Sequence, residues 1–423
     1  DFPTYALIAM VAYALGRAWA HRGIGWAWAG EVLCFGALVL LGGFALYLPF
    51  YIGFRSQAAG LGAVVYTKTP WVQYVLIFGL FLTVLVPWML GLVRTSRAPR
   101  FGRTFGLLLA ATALLPLALT LVAGGLGDVL LMGIGSLLQG PFVALGLALL
   151  VALAASVLWG RLREGGADAS STFALLLALA GLLLTFGAEF VYIRDSFNTR
   201  MNTMFKFYYQ AWVLLGIAAA WGAGEVASRL RGKRPWVARA WLGVVGALLL
   251  ASLYYPVAAA ASKANLFTGT PTLDGTAWAD PRSGEGAAIA WLGRHAPEGS
   301  VIVEAPGDEY NASHNRASGW TGLPTVLGWG GHEGQWGRSY DEIKRRADDV
   351  AALYQGTEPA LVQEILDRYG IRYVYVGPFE RQKYGLSQAN LAVLDRLLVR
   401  VYDQDGVIIY QVTTPASPPT RAN

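Results

Sequence analysis

About eight stretches of this chain are apolar for close to 20 residues at a time, and that repetition restricts its fold more than any other feature. A helix needs roughly 20 apolar residues to cross about 30 Å of hydrocarbon. The runs lie near 4–20, 25–48, 71–93, 104–124, 140–161, 171–192, 207–228 and 237–260, the first being the shortest. Gly42, Gly43, Pro87 and Pro116 fall inside them, which membrane helices tolerate when neighbours satisfy the freed backbone groups. The small residues from Gly140 to Gly146 suit close helix packing. Charged residues make up only 14% of the 423, against about 25% in a soluble domain. The expected fold class is a mainly α-helical polytopic membrane protein with a C-terminal α/β domain. The expected boundaries are a transmembrane domain at 1–260, a soluble domain at 261–415 and a disordered, Pro-rich tail at 416–423.

The net charge of +6 is carried largely by short connections between apolar runs, so it sets topology and does not imply a nucleic-acid partner. One alternating set of connections holds Arg17 and Arg22, then Arg94, Arg97, Arg100 and Arg103, then Arg161 and Arg163. Arg229, Arg231, Lys233, Arg234 and Arg239 complete it. The other set holds only Arg55 and Lys68, none in 125–139, then Arg194, Arg200 and Lys206. By the positive-inside rule the rich set is cytoplasmic. That places Asp1, the 49–70 and 189–206 loops and the C-terminal domain outside the cell membrane. Glu31, within a span near its cytoplasmic start, is expected to snorkel. Cys34, the single cysteine, sits in an apolar run and offers neither a disulfide framework nor metal-ligand spacing. Residue 1 is Asp with no leader pattern before it, so the chain is expected to be a piece of something longer.

The stretch from Glu189 to Trp212 carries Arg194, Asp195, Asn198, Arg200, Asn202, Lys206, Tyr209 and Gln210 at the edge of a span. Ionisable groups there are costly unless used, so a polar site is expected. If the stretch is helical, Asn198, Asn202 and Lys206 share one face, and Met201, Met204, Phe205 and Tyr208 lie opposite. Arg200 and Lys206 are candidates to hold a phosphate or diphosphate. Glu189 and Asp195 are candidates for an acid/base pair or metal ligands; the alternative is that they neutralise Arg194 and Arg200.

The C-terminal region reads as α/β. SVIVEA (300–305), PTVLGW (324–329), RYVYVG (372–377), LLVRVYDQ (397–404) and VIIYQV (407–412) are expected strands, the last two joined at Asp405–Gly406. Helical periodicity runs from 341 to Gly356 and from 359 to Gly370. No Walker, Rossmann, HExxH or GxSxG pattern is present. Residues 321–338, TGLPTVLGWGGHEGQWGR, present His332, Glu333, Gln335, Trp336 and Arg338 among six glycines. Such a loop fits recognition of a sugar or a phosphate; the alternative is a tight structural connection.

Three ordered motifs then carry a resemblance: DFPTY at 1–5, the E-x5-D-x2-N-x3-N-x3-K-x2-Y-x2-W run at 189–212, and GLPTVLGW-x2-HE-x-QW in the tail. Together they resemble the YYY-type membrane proteins, domain of unknown function 2298, a family similar to the GT-C polyprenol-dependent glycosyltransferases. One departure is QWGR at 335–338, where QWRG is expected. The resemblance implies a multispanning enzyme that moves a sugar from a polyprenyl-phosphate donor to an acceptor outside the membrane, with or without a divalent cation. It also implies an acid in a first external loop and a tri-tyrosine motif, both upstream of Asp1. The partners implied are membrane lipid, the lipid-linked sugar, and a second polypeptide if that supplies the upstream spans. In this reading Arg200 and Lys206 hold the donor phosphate, and an upstream acid, Asp195 or Glu189 is the base. His332, Glu333, Trp336 and Arg338 help choose the acceptor. Two other classes stay open: a transporter or flippase for lipid-linked or anionic substrates, and a structural subunit of a membrane assembly.

Overall fold

A computed structural model describes residues 2–20, 25–54, 58–65, 67–95, 101–139, 141–164, 168–195, 197–269, 273, 284–311 and 313–413. The expected 416–423 tail and Asp1, Arg22, Arg55, Arg97, Arg100 and Gly140 lie outside the described residues. The chain divides into two compact units, Asp1–Leu266 and Phe267–Asn423.

The first unit is helical: α1 (Phe2–Ala20), α2 (Trp26–Leu46), α3 (Leu48–Gly53), α4 (Trp71–Thr95), α5 (Phe101–Gly124) and α6 (Leu126–Gln139). Then come α7 (Phe142–Glu164), α8 (Ala169–Gly187), α9 (Met201–Lys233), α10 (Pro235–Ser252) and α11 (Tyr254–Lys263). Among the described residues seven helical stretches are long and apolar enough to cross a membrane, α10 and α11 counting as one, and Tyr5–Trp19 of α1 is a shorter apolar helix. The core is built by α4, α7, α8 and α9, with Phe78, Leu85, Trp88, Leu147, Leu175, Leu182 and Leu215 fully buried. Glycines let these helices close on one another. A methyl group at Gly181 of α8 would lie 2.7 Å from Leu215 of α9, and one at Gly222 would press on the buried Trp88 ring at 3.2 Å. The outer helices instead expose leucines in rows, as at Leu33, Leu38, Leu40 and Leu41 of α2 and Leu248, Leu249 and Leu250 of α10. Apolar surface on that scale calls for lipid rather than water. Hydroxyls inside the helices are satisfied locally: Thr112 and Ser156 donate to the carbonyls of Leu108 and Ala152 at 2.7 and 2.6 Å. Glu31 does not simply snorkel, because it pairs with Arg17 between α2 and α1.

Two short strands interrupt the helices: β1 (Leu61–Ala63) and β2 (Val191–Ile193) pair antiparallel, Gly62 opposite Tyr192. The expected span at 171–192 therefore ends early, at Gly187, and the 49–70 loop contributes a helix and a strand. The span expected at 207–228 starts at Met201 and runs on to Lys233.

The second unit is an α/β layer structure. Its strands are β3 (Val301–Val303), β4 (Ile371–Val376), β5 (Val399–Gln404) and β6 (Val407–Gln411), in the order β3-β4-β6-β5. Only β3 and β4 are parallel. Its helices are α12 (Gly284–His295), α13 (Arg316–Thr321), α14 (Gly330–Gln335), α15 (Tyr340–Gln355), α16 (Pro359–Tyr369), α17 (Pro378–Tyr384) and α18 (Gln388–Leu397). Strand alternation splits the core. Val374 and Val376 pack with α15, α16 and α18, while Tyr373 and Tyr375 pack with α12 and Ala317 of α13. Asp405 and Gly406, at φ +50° and +80°, close the β5–β6 hairpin. The expected strand at 324–329 is reduced to a single parallel bridge from Thr325 to Ile302, because the glycines after it turn directly into α14.

Candidate functional site

The helical periodicity of α8 ends in Gly187, and the chain then needs partners for its freed backbone groups. It finds them in the β1–β2 pair, where Ala59 N–H donates to Arg194 O at 2.8 Å and Arg194 N–H to Gly60 O at 2.9 Å. Gly62 lets the Tyr192 ring lie across the strand, since a Cβ there would overlap its phenol end. The return to helix is made by polar side chains. Asp195 accepts from Phe197 N–H at 3.0 Å and from Asn202 Nδ2 at 2.6 Å. Thr203 Oγ1 accepts from Ile193 N–H at 2.8 Å. Asn198, at φ +48°, adopts the left-handed conformation that amides tolerate, and its Oδ1 accepts from Tyr192 OH at 3.0 Å. Asn198 thus stands outside α9, so the expected Asn198–Asn202–Lys206 stripe does not form.

Behind this turn lies a buried polar cluster. Glu189, 1% exposed, faces Arg200, 9% exposed, with Nη1 to Oε1 at 3.0 Å. Thr69 donates to Glu189 from its backbone N–H at 3.1 Å and also from its hydroxyl. The Tyr208 hydroxyl lies 3.1 Å from Thr69 Oγ1. The Arg200 guanidinium further donates to Ala188 O and Thr69 Oγ1, both at 3.2 Å. Lys68 donates to the carbonyls of Glu189 at 2.7 Å and Val64 at 3.1 Å, its ammonium 5.0 Å from the Phe190 ring centre. Burial pulls Lys68 down to about 8, against the opposing pull of the Glu189 charge. Glu189 and Arg200 thus pair, and Nη1 and Nη2 of Arg200 each donate to protein acceptors.

Opening beside the cluster is a cavity of about 550 Å³ lined by Ala63, Val64, Val65, Thr67, Tyr192, Asn198, Thr199, Arg200 and Met201. Its lining combines aliphatic side chains with an amide, a phenol, hydroxyls and a guanidinium. Of the remaining expected residues, Arg194, Lys206 and Tyr209 are exposed, Asn202 and Asp195 are half-buried, and Gln210 is buried. Sequence reasoning passed over Thr69, Tyr192 and Thr199, and it placed Tyr208 on an apolar face. Lys68-Thr69-Pro70, a polar triplet set immediately before a span, was the available signal.

In the second unit, residues 321–338 fold around α14. His332 Nδ1 lies 3.2 Å from Glu309 Oε2, and its ring packs on Tyr310 and Trp329 with centroids 4.7 and 5.1 Å away. Glu333 pairs with Arg338 and accepts from Gly328 N–H at 2.6 Å. Gln335 is half-buried at the end of α14, and Trp336 is 72% exposed. Trp329, His332, Glu333, Trp336, Gly337 and Arg338 line a cavity of about 500 Å³. Among the described residues no group of three or more His, Cys, Asp or Glu side chains could hold a metal ion.

Residues 1–215 match a family described as uncharacterized membrane protein, DUF2298. The chain belongs to that family. No curated protein and no solved structure matches it. The DUF2298 match takes in both strands of the β1–β2 pair, the buried Glu189–Arg200 cluster and the start of α9, and it stops before the second unit. The multi-pass membrane character read from the apolar runs is that of the DUF2298 family.

Proposed function

We propose that this DUF2298 protein is a membrane glycosyltransferase, moving a sugar from a polyprenyl-phosphate donor to an extracytoplasmic acceptor. The observation that carries this reading is the cavity beside Arg200, lined by both aliphatic and hydrogen-bonding side chains, at the end of apolar helices. A lipid-linked phosphate combines the same two chemistries. The donor would enter laterally, its isoprenoid against Val64, Val65 and Met201. Its phosphate and sugar would meet Asn198, Thr199, Tyr192 and the outward edge of Arg200. Preorganised donors of this kind stabilise charge that builds on a leaving phosphate. Glu189 is enclosed by donors and serves to hold Arg200; Asp195, less enclosed and oriented by Asn202, is this chain's candidate to take the acceptor proton. Arginine-rich connections on the opposite side of the spans support a cytoplasmic placement there and an extracytoplasmic second unit.

The test is a density map of the protein purified in nanodiscs with native lipid retained, paired with transfer assays from polyprenyl-phosphate sugars. A phosphate in the Asn198–Arg200 cavity with an isoprenoid tail between spans supports the reading. So does an at least tenfold loss of transfer in Asn198→Gly and Tyr192→Phe at unchanged thermal stability. A cavity filled only by ordinary phospholipid, with no transfer from any such donor, sinks it.

One observation favours a second reading. Glu189, Arg200, Thr69 and Tyr208 satisfy one another without a ligand, as a structural clamp between α8, α9 and the 61–69 segment would. In that case the protein is a structural subunit, and a co-purifying polypeptide is the expected finding.

A further inference from the structure

The second unit contains a crevice that neither the sequence motifs nor the proposed transfer site accounts for. Its origin is topological. Strands β3 and β4 are adjacent and parallel, Val301 opposite Ile371 and Val303 opposite Val374. Beyond β3 the chain passes to α13, whose Ala317 packs on the sheet face covered by α12. Beyond β4 it passes to α17, whose Tyr384 packs on the other face with Val374 and Val376. Two neighbouring parallel strands whose connections leave to opposite faces open a gap at their carboxyl ends, the place where open α/β sheets hold ligands. Here that gap is a cavity of about 650 Å³ between the 313–316 and 378–383 segments.

The chemistry of its walls is one-sided. Glu285 is already engaged by Arg316 Nη1 at 2.5 Å and by Tyr375 OH at 3.3 Å. Glu304 and Glu380 beneath the crevice are spent on backbone donors: Ala317 and Ser318 for the first, Ala305 and Gly377 for the second. Burial raises both carboxyls, Glu380 to about 7. What lines the opening is mainly donors: Gln382, Ser313, His314 and Lys383, whose ammonium gives one of its three protons to the Pro306 carbonyl, with Arg316 held by Glu285. The backbone N–H of Asp308 donates to His314 Nδ1 at 2.6 Å, which leaves the proton of the neutral ring on Nε2. Gly307 makes room for that ring, since a Cβ there would overlap it. His314 also stacks on Phe379 with ring centres 4.3 Å apart, so the two rings form one aromatic stack beside the donors, with the Lys383 ammonium 5.8 Å from the Phe379 ring centre. Lys383 is pulled below its ordinary value by burial, although Asp308 and Glu380 oppose the shift, so a further anion would favour its charged form.

We propose that this crevice binds a sugar carrying a phosphate or a carboxylate, its ring against His314–Phe379 and its anionic group toward Lys383 and Gln382. The site is independent of the transmembrane cavity. The experiment is titration calorimetry on the full chain in phosphatidylcholine nanodiscs, with glucose 1-phosphate, glucuronate, glucose and inorganic phosphate as probes. At least one of the two anionic sugars should bind, and glucose at least tenfold more weakly. Tighter binding of glucose 1-phosphate than of glucuronate would assign the anion as phosphate, and the reverse as carboxylate. Lys383→Gln and the pair Ser313→Ala with Gln382→Ala should each weaken binding at least tenfold while leaving the unfolding temperature in place. Asn198→Gly, in the other unit, should leave it unchanged whether or not sugar transfer is found. Glucose binding as tightly as the anionic sugars, inorganic phosphate binding as tightly as glucose 1-phosphate, unaltered affinity in Lys383→Gln, or no binding by any probe each overturns the proposal.

Discussion

At Arg200 the same residue serves charge balance and site geometry, and the two roles separate on mutation. Taking one member from a buried ion pair leaves the other charge unpaired, which typically costs about 3–5 kcal/mol. Arg200→Ala should therefore lower stability by about that amount, and Glu189→Gln by less, because the amide can still accept from Thr69. Combining Arg200→Met with Glu189→Leu should recover much of the loss, since replacing a buried pair by apolar groups is often close to neutral. Thermal unfolding in detergent reads all three, and a double variant as unstable as Arg200→Ala alone would refute the clamp. Asn198 and Tyr192 carry no buried charge, and Asn198→Gly keeps the left-handed backbone while Tyr192→Phe keeps the ring, which makes these the cleaner probes of function.

Among elements, the decisive contact is α8 against α9, the two helices whose ends carry Glu189 and Arg200. Gly181 permits their approach, its surroundings being Leu215 and the Ala211 carbonyl. Gly187, on the same helix, has open space where a side chain would go. Gly181→Ala should cost about 1–3 kcal/mol by overpacking, while Gly187→Ala should be close to neutral. Equal stability of the two variants in thermal unfolding would mean that the α8–α9 contact yields more easily than its geometry implies. The β1–β2 pair is the second decisive element: it joins a loop before α4 to the break after α8, and so gathers residues more than a hundred positions apart around one cavity.

For the whole molecule the question is sidedness. With Cys34 replaced by alanine, Ala389→Cys in the second unit should react with a membrane-impermeant maleimide added outside intact cells. Arg231→Cys, at the end of α9, should react only after permeabilisation. The reverse pattern would invert the proposed topology and remove the extracytoplasmic acceptor. Both positions are exposed, so burial does not confound the labelling.

The sequence alone determined the membrane class, since runs of about 20 apolar residues have few other uses. It also determined the α/β character of the second unit, whose Asp405–Gly406 turn is specified by two residues that accept positive φ. It marked Glu189–Trp212 as out of place in a plain loop. Tertiary structure decided what that stretch does. Periodicity treats 189–212 as one helix, but Asn198 turns left-handed and residues 191–193 become a strand because 61–63 is there to pair with them. No local rule sees a partner so distant. The same holds for Glu189: its charge is visible in the sequence, but its burial among Arg200, Thr69 and Tyr208 depended on those residues arriving from other elements. The crevice at β3 and β4 had no sequence signal at all. It arises from the directions in which two connections leave a sheet, and only packing sets those directions.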